Sequence, residues 1–209
     1  MLAVAIGGCV YRSMVHVGHA ASVGQFCCQF GGQVGFEYRH TSNLPQGRSL
    51  LLRQLIQYGM YDALISVDSD TEFRARDLID ELPLAIALDV AIGIAPVICG
   101  NPPRLNIFHA LGEPFAPSAC GGGRPDLWAG GFGLAVFNLG WFREHWLDPQ
   151  PELIDGIPPM AQGEDTQMCR SVIARGGRVI PLWVATAHYD TSNSNLQAGR
   201  ISYRAGRML

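Results

Sequence analysis

Short apolar runs alternate with amphipathic helical stretches along the first half of this chain, and that alternation constrains its fold most. "LAVAIGG" (residues 2–8) is an apolar run closed by glycines. It reads as a first strand with a tight turn at Gly7-Gly8. Residues 13–30 read as a helix, and "GQVGFEYRH" as a second strand in which Val34, Phe36 and Tyr38 alternate. In "LPQGRSLLLRQLIQYG", Leu51, Leu52, Leu55 and Ile56 share one helical face; Ser49 is placed to cap that helix and Gly59 to end it. "YDALISVD" is again a buried strand. This order predicts a doubly wound α/β sandwich, a Rossmann-type, mostly parallel central sheet with helices on both faces.

The later segments extend the pattern. A helix is expected near residues 75–88, broken at Pro83, and "DVAIGIAPVI" as a strand. Residues 100–126 hold Pro102, Pro103, Pro114, Pro117 and "CGGGRP" and read as a loop-rich insert, too long for an ordinary connection. "LWAGGFGLAVFN" reads as a strand, "LGWFREHW" as a short helix and "PQPELIDGIPPMAQG" as a proline-rich loop. "EDTQMCRSVIARGG" is a helix with Met168, Cys169, Val172 and Ile173 on one face, and "RVIPLWVATAH" a last strand. Residues 1–190 therefore read as one domain. The polar tail 191–209 reads as flexible, with Arg200, Arg204 and Arg207 available to close over a bound phosphate.

"LISVDSDTEF" (64–73) carries the chemical signal. A buried strand ends in Asp68-Ser69-Asp70. If the chain stays extended, residues i and i+2 point the same way, so both carboxylates aim at one point beyond the strand. In open α/β sheets that end is where ligands bind. Converging carboxylates repel unless a cation lies between them or one takes a proton. Oxygen ligands suit Mg²⁺ or Mn²⁺, and a histidine in the set shifts the balance toward Mn²⁺. The competing reading is that Asp68 and Asp70 are ordinary turn residues.

Composition excludes some partners. The net charge is −3 and the chain has no lysine, so it lacks the basic excess of a duplex-binding surface. Any phosphate must be held by arginine, metal or backbone N–H. No apolar stretch is long enough to span a bilayer, and "MLAVAIGGCVYRS" has no basic segment before its apolar part. Six cysteines occur without a Cys-x-x-Cys pair, which predicts small buried hydrophobes in a reducing, cytoplasmic compartment. A bacterial or phage-encoded enzyme fits this size.

The ordered set "VDSD", "WAGGFGLAVF", "GEDTQMCRSVIARGGRV" and "WVATAHYD", preceded by "LPQGRSLLLRQLIQYGMYDALISVDSD", resembles the GT-A glycosyltransferases over residues 2–190. The resemblance implies a metal-dependent enzyme that moves a sugar from a nucleotide-diphosphate sugar to an acceptor hydroxyl, with Mn²⁺ or Mg²⁺ as cofactor. It implies Asp70 and His188 as metal ligands, and Asp68, beside Ser69, on the donor ribose or on the metal through water. Arg48 would lie near the nucleotide. Gly7 and Gly8 would let the backbone approach base or ribose. Gly130, Gly131 and Phe132 would line the floor beneath the sugar, with Trp128 beside them to stack on it. Glu164 and Asp165 would meet the acceptor, one of them as base. Each residue also has a structural reading: acids are favoured in a helix's first turn, a histidine on an apolar strand can be a hydrogen-bonded core residue, and glycines permit close strand packing. A sugar nucleotidyltransferase is the rival enzyme, though the lysine expected there cannot exist here. A non-catalytic nucleotide- or carbohydrate-binding module is the third reading. The acceptor is left open: glycan, protein, small molecule or modified nucleic-acid base.

Overall fold

The computed structural model describes residues 1–10, 15–41, 44–99, 104–110, 113–114, 124–145, 163–189, 200–204 and 207–208. In chain order these form β1 (Ala3–Val10), α1 (Val17–Gln29), β2 (Gln33–His40), α2 (Leu44–Tyr58), β3 (Ala63–Val67), β4 (Thr71–Phe73), α3 (Ala75–Ala85) and β5 (Val90–Ile94). Short strands β6 (Ile98–Cys99), β7 (Arg104–Leu105), β8 (Ile107–Ala110), β9 (Glu113–Pro114) and β10 (Ala129–Gly130) follow. The chain continues through β11 (Leu134–Asn138), α4 (Leu139–His145), α5 (Glu164–Ala174), β12 (Arg178–Pro181), β13 (Thr186–Tyr189), β14 (Arg200–Arg204) and β15 (Arg207–Met208).

Six strands make the central sheet in the order β12-β5-β11-β3-β1-β2. The β1–β2, β1–β3 and β5–β12 pairs are parallel, and β11 runs antiparallel between β3 and β5. The mostly parallel α/β architecture read from the sequence is the one observed. Its strands are apolar on both faces because both faces are covered. Val4, Ile6, Ile65, Val67 and Val136 face Val23 and Phe26 of α1 and Leu78 and Leu82 of α3. Ala5, Leu64, Ala135 and Phe137 face Leu51, Leu52 and Leu55 of α2, with Phe142 of α4 and Met168 and Val172 of α5. Among the described residues, no helix is long and apolar enough to cross a membrane.

Several boundaries differ from expectation, each for a physical reason. Gly7-Gly8 is not a turn; both lie inside β1, which runs on to Val10. The glycines are there because the strands crowd: a Cβ on Gly7 would meet the Glu37 carbonyl oxygen at 2.0 Å, and one on Gly8 the Val67 oxygen at 2.6 Å. Helix α2 starts at Leu44, so Ser49 lies within it and is not its cap. Pro45 is tolerated in the first turn, where its missing N–H has no partner to lose. Gly47 costs about 1 kcal/mol inside a helix, but Leu51, Leu52 and Leu55 are at most 3% exposed, and each fully buried leucine contributes roughly 1.5–3 kcal/mol. Burial therefore outweighs propensity. Pro83 falls in the last turn of α3, which stops at Ala85.

"DVAIGIAPVI", "LWAGGFGLAVFN" and "RVIPLWVATAH" each split in two. Their second or first halves leave the main sheet to build smaller ones: β6-β7, β10-β8-β9 and β15-β14-β13-β4. The 100–126 insert thus contributes strands, while its residues 100–103, 111–112 and 115–123 lie outside the described set. So do the proline-rich loop through residue 162 and tail residues 190–199. Residues 200–204 (β14) pair antiparallel with β13, and β15 pairs antiparallel with β14. Cys9 and Cys169 are buried as expected; Cys27 is half-buried and Cys28 exposed, contrary to that expectation.

Candidate active site

Helices α2 and α5 both run back against the parallel strands, so their N-termini lie at the edge where β1 and β3 end and β11 begins. Asp68 follows β3 directly, and its N–H donates to the Gly133 carbonyl at 2.9 Å, just before β11. Arg48 reaches this point from α2. Its Nη2 donates to Asp68 Oδ1 at 2.8 Å. Its Nη1 donates to Glu164 Oε1 and to Asp165 Oδ1, each at 2.8 Å. The second oxygen of Asp165 accepts the Phe132 backbone N–H at 3.0 Å. The Phe132 ring lies in the core beneath, 5.8 Å from the guanidinium carbon. One arginine therefore gathers three carboxylates from two distant segments.

The electrostatics follow from low exposure. The Arg48 side chain is 13% exposed. Burial alone would ease its proton off, but Asp68, Asp165 and Glu164 outweigh that and hold it charged. Asp165 is pushed up to about 6: burial raises it, Arg48 opposes, and neighbouring Glu164 adds to the rise. Asp68 is also raised by burial, against Arg48 and with help from Asp70. A carboxylate near 6 is poised to exchange a proton close to neutral pH.

Asp68 and Asp70 do not follow strand geometry. Thr71 N–H donates back to the Asp68 carbonyl at 3.0 Å, so the chain turns between them. Asp68 goes to Arg48, and Asp70 goes instead to His188, with Oδ2 and Nε2 3.4 Å apart. The second sheet causes this meeting: β13 runs antiparallel to β4 with His188 opposite Thr71, and Tyr189 N–H donates to the Asp70 carbonyl at 3.0 Å. One carboxylate and one imidazole at that separation suit a hard-to-borderline divalent ion that completes its shell with water or phosphate oxygen. Asp70 and His188 thus fit the expected metal. Asp68 does not join them, and among the described residues no three His, Cys, Asp or Glu side chains gather as a metal cage.

The remaining expected residues take varied places. Ser69 lies in the turn, where its carbonyl accepts the His16 N–H at 2.8 Å. Gly130 is buried, and a Cβ there would meet Ile107 at 2.9 Å. Gly131 N–H donates to the Asn106 carbonyl at 2.7 Å. Trp128 is half-buried with Arg170 5.4 Å over its ring, away from the four-residue cluster's contacts. Gly7 and Gly8 are pressed between strands.

Sequence reasoning missed the braces. Asn106, inside the insert, accepts the Val97 N–H at 2.8 Å and donates to the Gly131 carbonyl at 2.9 Å. It fixes the loop that presents Phe132 N–H to Asp165. His19, 1% exposed on α1, spans from the Asp68 carbonyl to the Tyr38 hydroxyl, 3.0 Å at each ring nitrogen. Burial lowers its pKa, which favours the neutral ring. Tyr189 stacks on His16 at 3.6 Å and donates its hydroxyl to Glu72 at 2.5 Å. A lone asparagine in a proline-rich stretch, or a histidine in a helix, carries no local pattern that reveals such a role.

No family model matches the chain, and no curated protein matches it by sequence. Among solved structures, A197 from STIV superposes with a TM-score of 0.61 at 11% identity, over 100% of this chain and 93% of its own. That likeness is one of fold. GalNAc-T7 with UDP, GalNAc and Mn²⁺ gives a TM-score of 0.47 at 12% identity, over 86% of this chain and 42% of that one. A glycosyltransferase involved in glycosylation of the major capsid of PBCV-1 gives 0.45 at 14% identity, over 87% and 81%.

Proposed function

We propose that this chain is a metal-dependent glycosyltransferase of the GT-A type, moving a sugar from a nucleotide-diphosphate sugar to an acceptor hydroxyl. The observation that carries the reading is the Arg48 cluster, which holds Asp165, raised to about 6, beside the strand-end Asp68. Above pH 6 Asp165 is ionised and can take a proton from an acceptor hydroxyl. Each of its oxygens accepts one hydrogen bond, from Arg48 and from Phe132 N–H, and each keeps a further lone pair. Arg48 and Phe132 N–H fix the direction of that lone pair, which is the positioning a proton transfer needs. Asp70 and His188 would hold the divalent ion. When bound, such an ion stabilises the charge growing on the leaving nucleoside diphosphate. Asp68, beside both pairs, faces the donor.

The test is thermal stability with UDP-, GDP- and TDP-sugars, with and without Mn²⁺. A donor at about 100 times its dissociation constant adds roughly 2.7 kcal/mol. One donor should stabilise the protein with Mn²⁺ and far less without it, and Asp70→Asn should abolish the Mn²⁺ dependence while the unliganded melting point stays put. Slow release of free sugar from that donor marks catalysis. A response to nucleoside triphosphates with pyrophosphate release would instead identify a nucleotidyltransferase. Donor binding without turnover would leave a binding module.

A further inference from the structure

We propose that strand β2 is a self-complementary edge through which two copies of this chain pair, antiparallel, into one continuous sheet. β2 is the last strand of the central sheet, and among the described residues no strand pairs with its outer side. It is eight residues long and contains neither proline nor lysine. Edges of that length are ordinarily shortened, bulged, covered or blocked by charge.

The outward backbone groups can be assigned. Gln33 N–H donates inward to Leu2, and Thr41 N–H inward to Val10. Backbone groups alternate along a strand, so Val34, Phe36, Tyr38 and His40 present their N–H and C=O outward. Phe36 is 61% and Tyr38 40% exposed, so both carry apolar surface at the same edge.

Charge then selects the register. Glu37 and Arg39 point to the opposite face, toward α2, where Arg39 donates to Gln54 at 2.7 Å and Glu37 accepts the Tyr61 hydroxyl at 3.4 Å. Charges of one sign here would repel a second copy. Opposite signs two residues apart do the reverse: with the two-fold axis at Tyr38, Glu37 of each copy faces Arg39 of the other. In this register Tyr38 meets Tyr38, and Phe36 meets His40, as hydrogen-bonded pairs using the outward groups. Glu37 and Arg39 fall at the non-hydrogen-bonded position, where side chains come closest. Centring on Glu37 would place like charges together, and centring on Phe36 would leave Glu37 opposite Gly35.

Sedimentation velocity across the micromolar range tests this. The parent should sediment as a dimer. Glu37→Arg or Arg39→Glu alone sets like charges face to face and should weaken the dimer tenfold or more, which is about 1.4 kcal/mol. The double reversal should restore it. Phe36→Pro removes an outward N–H without touching the bonds to β1, and should give a folded monomer by circular dichroism. It decides the matter if a single reversal fails to fold. A parent that stays monomeric across the whole of that range overturns the proposal. So does a dimer indifferent to Phe36→Pro, or a double reversal no better than the singles.

Discussion

Asp165→Asn should stabilise the protein and disable it, and the two effects should separate with pH. The native carboxyl stands at about 6 against an ordinary 3.8. The folded protein therefore holds this proton more tightly than the unfolded chain, and ionising Asp165 costs folding stability. The cost is absent below pH 3.8, grows between 3.8 and about 6, and is constant above. At 1.36 kcal/mol per pKa unit it amounts to about 3 kcal/mol at pH 8, and roughly half that at pH 5. Asparagine has the same shape and cannot ionise, so it escapes this cost. It also turns the charge-assisted bond to Arg48 into a neutral one and, having a single acceptor oxygen, sets its NH2 group against the Phe132 N–H; together these take back about 2 kcal/mol. A net gain of about 1 kcal/mol at pH 8 remains.

Differential scanning fluorimetry can read this directly. For a chain of this size each kcal/mol moves the midpoint by about 2–4 °C. The variant should melt about 2–4 °C above the parent at pH 8, with the gap shrinking toward pH 5. Transfer should meanwhile fall about 10²–10⁴-fold, the usual loss of a general base, with donor affinity little changed. A stability difference that does not change between pH 8 and pH 5 would show that Asp165 is not a strained carboxylate.

The parent's transfer rate at saturating donor should rise with pH through about 6 and level off above it, since the base works ionised; a rate that falls across this range would exclude Asp165 as base. Arg48→Ala leaves three carboxylates without their shared cation and should cost about 3–5 kcal/mol in urea unfolding; the loss should be larger at pH 8 than at pH 5, where protonation relieves the repulsion. Asn106→Ala removes both braces of the Gly131 loop and should cost about 2–3 kcal/mol; if Asn106 also presents Phe132 N–H, the pH–rate midpoint should move upward as that hydrogen bond to Asp165 weakens.

Local pattern was enough for the main sheet and its helices. Strands buried on both faces must be apolar throughout, as "ALISV" is, and helices packed on one face must repeat every three to four residues, as Leu51, Leu52 and Leu55 do. Helix ends were legible where backbone conformation demanded glycine: Gly59 and Gly176 have φ of 69° and 82°. Pattern failed where a segment changes sheets. "WAGGFGLAVF" is one apolar run, yet Gly130 pairs with Ile107 while Leu134 pairs with Val67. The partner strand decides that break, and the partner lies far away in sequence. Arg48, Asp68, Glu164 and Asp165 were each legible as candidates, but their meeting at one guanidinium was not, because it depends on where α2 and α5 begin.

The turn after β3 explains why a chain would place acids at alternate positions there. Had residues 68–70 stayed extended, Asp68 and Asp70 would share one direction and one ligand. The Thr71 to Asp68 hydrogen bond sends them to different partners. Asp68 meets an arginine that also holds the raised Asp165, and Asp70 meets a histidine delivered by the second sheet. On the proposed reading, proton transfer and cation binding fall to separate but adjoining pairs. His19 ties the two together, because the Asp68 carbonyl it bonds is the same one that closes the turn. A neutral donor suits this place: a charged ring there would be buried, and no ring at all would leave the Asp68 carbonyl with one hydrogen bond, from Thr71 N–H.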